Sequence, residues 1–371
     1  MGGSAVGVHS NAASHGLGGL TTEAQGYGEK HKEAFMKRNG RSRLGLGLAI
    51  AGFAGLVIPI RLAAQEPLSA WDPAADTGAP ASAINFNQLA ILRWYQANRT
   101  TTFPVGSVPT GVAFDGASMW VANFNDNNVT KLRASDGTVL GTFGVGTGPV
   151  GLAFDGANIW VNNQGSNDVT KLRASDGAVL GTFGVGTSPR LNAFDGTNIW
   201  VANTGSNSVT KLRASDGAVL GTFGVGVAPM GVAFDGANVW VTNDGSANVT
   251  KLRARDGTVL GTFSVGVGPI GVAFDGANMW VANQGGNVTK LRASDGAMLG
   301  TFPAGNGPVD LAFDGSHIWV ADVSGNSVTK LRASDGKALG SFRVGKSPFV
   351  VAFDGANIWV TNQDSNTLSK L

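Results

Sequence analysis

The chain of 371 residues is long enough for two or three domains of ordinary size, and its net charge of +2 makes no field that would gather nucleic acid. Charged residues make up 14%, against about 25% in an average globular domain, and the 56 glycines are roughly double the usual share. That balance suits short strands joined by tight turns, and the absence of cysteine excludes disulfides and thiolate chemistry.

Residues 1–43 are expected to be a disordered or misassigned extension. Residues 44–60 read LGLGLAIAGFAGLVIPI, an uncharged run of 17 residues preceded by KRNGRSR and followed by Arg61. A spanning helix needs about 20 apolar residues, and the apolar region of an export signal about 7–15. Read from Met36, the chain offers a basic start, the apolar run and small residues at a cleavage point after Ala64. Translation is therefore expected to start at Met36. Residues 44–64 are expected to be a signal peptide or membrane anchor, with residues 44–60 the anchoring part. The rest of the chain is then periplasmic or extracellular. Residues 65–83, rich in Ala, Pro, Asp and Ser, read as a linker. Residues 84–98 (INFNQLAILRWYQAN) predict a short amphipathic helix, with Phe86, Leu89, Leu92 and Tyr95 at helical spacing and Asn85 or Asn87 as cap.

From residue 101 the chain repeats. The motif FDGANIWV and its variants place phenylalanines at 114, 154, 194, 234, 274, 313 and 353, spaced by 40 residues except for one spacing of 39. Each unit carries one tryptophan, from Trp120 to Trp359. A period near 40 with aromatic and glycine marks predicts propeller blades. In the second unit the expected strands are 150–154 (A), 159–162 (B), 168–173 (C) and 178–186 (D), with Asp-Gly turns between A and B and between C and D. The last unit has no strand D. TTFPVGSVP at 101–109 matches GTFGVGTGP at 141–149. The prediction is an all-β, seven-bladed β-propeller over residues 101–371, with four-stranded blades and a ring closed by an N-terminal strand. Closure removes exposed sheet edges, and the propeller is expected to be a monomer.

Strands alternate in direction, so the A–B and C–D turns share one face of the disc and the D–A and B–C connections share the other. The first face hardly varies, whereas the second is individualised. After the proline that leads into strand A come Thr110, Val150, Arg190, Met230, Ile270, Val309 and Phe349. The next position is Gly in four units but Leu191, Asp310 and Val350 in the others. Strand A is innermost, so these positions should ring the mouth of a central channel. The candidate ligand-binding residues are Arg190, Met230, Asp310 and Phe349, joined by Gln164, Asp244, Gln284 and Gln363 of the B–C loops. Arg190 and Asp310 are expected on nearly opposite sides of the mouth, both free for a ligand. The competing explanation is drift on weakly constrained loops. No catalytic set, metal site or cofactor motif is expected. The FDG aspartates read as turn formers. The repeated Lys-Leu-Arg reads as a solvated stripe pairing with turn aspartates.

WVAN, WVTN and VTKLRASDG resemble YVTN-type propeller repeats, which are related to NHL repeats and to virginiamycin B lyase. The resemblance covers residues 101–371 and implies a seven-bladed propeller. Its lyase branch implies an active site with a histidine and acidic residues on one face. The chain's histidines are His9, His15 and His31, ahead of the repeats, and His317 in an A–B turn. The expected function is an exported binding propeller that takes a small molecule, glycan or protein at the channel mouth through its D–A/B–C face. The alternatives are a lyase or hydrolase, with Asp310 and Asp244 as candidate acids, and a purely structural surface protein.

Overall fold

The computed structural model describes residues 100–371. The expected extension (1–43), export or anchor segment (44–64), linker (65–83) and helix (84–98) lie outside the described residues. The rest folds as seven four-stranded antiparallel sheets, each ordered A-B-C-D from the channel outward. Blade 2 is representative. Its strands are Pro149–Phe154, Asn158–Asn163, Asp168–Arg173 and Val179–Gly184. Strand C has the expected ends, strands A and B gain the leading proline and the flanking asparagines, and strand D is shorter than expected by one residue at its start and two at its end. Blade 7 consists of Pro348–Phe353, Ile358–Asn362, Thr367–Lys370 and, from the front of the described chain, Thr101–Pro104. Thr101 pairs with Lys370 and Pro104 with Thr367, so the ring closes as the sequence predicts.

Each blade holds its shape through a few repeated devices. In blade 2, Asp155 Oδ1 accepts the backbone N–H groups of Ala157 and Asn158. Asp155 Oδ2 accepts the Trp160 indole N–H at 2.7 Å. The FDG aspartate is thus a turn former, as expected, and also the partner that lets a tryptophan be fully buried. Trp160 stacks at 5.6 Å on Phe183 of strand D. In blade 7 the N-terminal strand supplies that ring, placing Phe103 5.7 Å from Trp359. The apolar clusters lie between blades. Trp160 and Val169 of blade 2, for example, pack with Ile199, Val201 and Leu212 of blade 3. Gly177 in the C–D turn has φ +76°, and a Cβ there would collide with the Phe143 ring of the preceding blade. The turn therefore needs glycine for its backbone and for the contact it makes.

The Lys-Leu-Arg stripe departs from the expectation in its lysines. The arginines behave as read: Arg173 is half-exposed and pairs with Asp176 of its own turn at 2.8 Å. Lys171 is buried. It stands directly across from Trp160 in the B–C register, so its stem lies along the indole and its ammonium sits 4.9 Å from the ring centroid. Lys171 Nζ then donates to the Ala214 carbonyl of blade 3 at 2.7 Å. Lys370 of blade 7 donates in the same way to Ala134 of blade 1 at 2.8 Å. The lysine is a clamp between blades, anchored by a desolvated cation–π contact worth about 1–2 kcal/mol.

Candidate functional site: the central channel

The seven A strands surround a cavity of about 120 Å³. Its wall is mostly backbone and apolar side chains, including Gly111, Gly231, Val112, Leu152, Leu191, Val232, Val272 and Val350. Its polar side chains are Asn192 and Asp310, from blades 3 and 6.

Asp310 is only 8% exposed. Its Oδ2 accepts the Val351 backbone N–H of blade 7 at 3.0 Å. A Cβ on Gly271 would collide with Oδ1, so the glycine of blade 5 makes room for the carboxyl. Burial pushes this carboxyl up to about 7, and backbone N–H groups of Val351 and Leu311 offset only part of the rise.

Asn192 was not singled out by the sequence reading. Its Nδ2 donates to Asn162 Oδ1 at 2.9 Å and to the Trp160 carbonyl at 3.1 Å. Asn162 Nδ2 in turn donates to the Arg190 carbonyl at 2.7 Å. Asn192 Oδ1 is buried and has no partner among the described residues. A buried acceptor left unpaired is costly, so this atom is poised to take a donor. The signal was in the sequence: unit 2 reads WVNN where five of the others read WVAN or WVTN, and unit 3 reads LNAF where four units read GVAF or GLAF.

The expected mouth residues separate into groups. Met230 and Phe349 pack against one cluster with Ile270 and Val309, and so cap the mouth with apolar surface. Leu191 and Phe349 pack together with Val112 and Val350. Arg190 is half-buried and does not line the cavity. Burial lowers its pKa, and the charge of Asp244 on the B–C loop of blade 4 opposes that shift. Arg190 Nε is buried without a partner among the described residues. Asp244 and Gln284 both approach Gly268 on the same face. Gln164 and Gln363 stand half-buried in their own B–C loops, away from the cavity lining. The only histidine among the described residues, His317, lies on the opposite face, with Nδ1 3.1 Å from Asp314 Oδ2.

Fold and channel together define a seven-bladed β-propeller whose axial cavity, walled by backbone and apolar side chains, holds two polar side chains, Asn192 and Asp310. No protein family and no curated protein matches the chain. Among solved structures it is similar to Kuenenia stuttgartiensis hydrazine synthase, at 19% identity and a TM-score of 0.63, covering 71% of this chain and 95% of that one. It is also similar to a streptogramin B lyase structure, at 17% identity and a TM-score of 0.63, covering 73% of this chain and 96% of that one. Both are β-propellers. The expected likeness to the lyase-type propellers is therefore met in the fold.

Proposed function

We propose that this chain is a binding propeller whose ligand enters from the D–A/B–C face and places a hydrogen-bond donor in the axial cavity. The observation that carries this reading is the unpaired Asn192 Oδ1, which lines the same axial cavity as the buried Asp310 carboxyl. An unpaired amide oxygen, together with a carboxyl that a nearby ammonium would draw to its ionised form, selects an amine or ammonium group. In small-molecule sites a few placed polar groups fix the orientation of the ligand. Arg190 at the rim, with a free Nε–H, suits a carboxylate on the same ligand. Small primary alkylamines are expected to raise the melting temperature of the full chain, and ω-amino acids of equal length to raise it further. Each charged hydrogen bond is worth roughly 1.5–3 kcal/mol. Asn192→Val with Asp310→Gly restores residues used by other blades and should weaken amine binding at least about tenfold. Arg190→Thr should remove only the advantage of the ω-amino acids. His317→Asn, on the other face, should change neither. Equal shifts for the parent and the cavity variant would defeat the reading.

The same reading places the protein outside the cytoplasm, supported by the basic segment and apolar run at residues 37–60. Fractionation of cells expressing the full chain should recover the propeller in the periplasmic, membrane or secreted fraction, with a mature N-terminus after Ala64 if the signal is cleaved. Recovery in the cytosol with an intact N-terminus would count against export.

A further inference from the structure

Six of the seven seams between blades share one closing device. The C–D turn of the following blade lays its glycine on the outer-strand phenylalanine of the blade before it, as Gly336 does on Phe302. The same turn supplies the carbonyl that accepts the lysine ammonium, as Ala333 does for Lys290 at 2.7 Å.

The seam between blades 6 and 7 lacks that turn, because blade 7 takes its strand D from the front of the chain. Three consequences are visible there. Phe342 is 38% exposed, while its counterparts Phe103, Phe143, Phe183, Phe223, Phe263 and Phe302 are half-buried. Trp319 is 8% exposed, where the other six blade tryptophans are fully buried. Lys330 lies 4.5 Å over the Trp319 ring, but no carbonyl among the described residues accepts its ammonium.

The chain upstream of Thr101 emerges at this gap. Thr101 pairs with Lys370 as Gly181 pairs with Lys171. Counting back along the sequence from those two positions, residues 94–98 correspond to the turn residues 174–178 of blade 2. Thr100 Oγ1 already donates to the Arg343 carbonyl on the outer strand of blade 6, at 3.1 Å. The upstream stretch carries the complementary chemistry. Residues 84–98 have an apolar face of Phe86, Leu89, Leu92 and Tyr95 at helical spacing. A helix ending near residue 98 would also present unpaired C-terminal carbonyls, which favour a lysine ammonium.

We propose that residues 84–98 of the same chain cover the seam between blades 6 and 7. Their apolar face lies on Phe342 and Trp319, and their final carbonyls accept from Lys330. The segment does for the seventh seam what the turn does for the other six.

The absence of cysteine allows a direct test in the full chain. Leu92→Cys with Phe342→Cys, and Leu89→Cys with Phe342→Cys, are oxidised at low protein concentration and analysed by mass under non-reducing conditions. The expected product is a monomer with an internal disulfide from at least one pair. Leu92→Cys with Phe302→Cys, at a seam already covered, should stay reduced. Disulfide-linked dimers alone would assign the seam to a second copy and overturn the proposal, as would free thiols in both test pairs. A second measurement does not depend on disulfide geometry. Adding Leu89→Asp and Leu92→Asp to the Phe342→Cys chain should raise the rate of thiol labelling roughly tenfold, the equivalent of about 1.4 kcal/mol of lost cover. Labelling of Phe302→Cys should not change. An unaltered rate at position 342 would also overturn the proposal.

Discussion

Removal of residues 101–109 is expected to drive the propeller into larger oligomers and aggregates. The deletion strips strand D from blade 7 and leaves the edge of Thr367–Lys370 unpaired, a template for pairing with another chain. It also takes Phe103 from Trp359 and from the cluster that joins blade 7 to blade 1. Phe103 is half-buried, so its loss costs somewhat less than the about 3–5 kcal/mol of a fully buried aromatic, still a large share of the stability of an ordinary domain. Size-exclusion chromatography with light scattering, together with thermal melting, reads both effects. A truncated chain that stays monomeric and melts with the parent would mean that the ring does not depend on this strand.

The second large effect is a dependence of stability on pH set by the channel. The Asp310 carboxyl keeps its proton up to about pH 7 in the folded protein, against a usual value of 3.8 in the unfolded chain. Between those values the folded state holds the extra proton, so stability falls as pH rises. A shift of this size corresponds to about 4 kcal/mol at most. Asp322 adds to the trend: burial raises it to about 6 despite hydrogen bonds from Thr329 and Ser327. Denaturant melts at pH 5 and pH 8 should show the parent more stable at pH 5. Asp310→Asn should recover most of the loss at pH 8, and Asp322→Asn, which restores the residue of the other six blades, should recover part of the rest. Below about pH 4 the order reverses. Burial opposes ionisation of Asp155, but bonds from Trp160, Ala157 and Asn158 prevail and hold its carboxyl below the usual range. Asp235, Asp275, Asp314 and Asp354 are lowered in the same way. The stability of these depressed carboxyls is present above the unfolded value and lost as pH falls through the folded one. A stability that does not change between pH 5 and 8, in parent and variants alike, would contradict a buried carboxyl in the channel.

The blades were legible because their signals are local and redundant. Asp-Gly turns, one tryptophan per unit and a constant period each point to the same four-stranded sheet. The missing strand at the C-terminal unit and the matching TTFPVGSVP segment made the closing pair readable as well. The site was only partly legible, for reasons of side-chain direction. The register shifts just after the proline that opens strand A, as between Pro189 and Asn192. Such a bulge breaks the two-residue alternation that tells inward from outward. Sequence alone could mark Arg190 and Asp310 as unusual, but not that Asp310 turns into the cavity while Arg190 does not line it. Asn192 lies one position further into strand A than the two mouth positions that the sequence singles out. The lysines misled for the opposite reason. All seven are alike, and a repeated charge reads as solvated until the register shows a tryptophan across from each.

Six of the seven lysines clamp their blade to the next, all the same way round the disc. Such an interface is heterologous, head to tail, with two different surfaces meeting at every step. Contacts of this kind fix the rotation from one unit to its neighbour but contain no instruction to stop. If the rotation divides the circle the array shuts, and if not it runs on as an open spiral. Near-identical units thus confer the angle, while the count of seven is enforced at one place only, where Thr101–Pro104 meets Thr367–Lys370. A gain or loss of one 40-residue repeat in the gene would keep every neighbouring contact and fail only at that join.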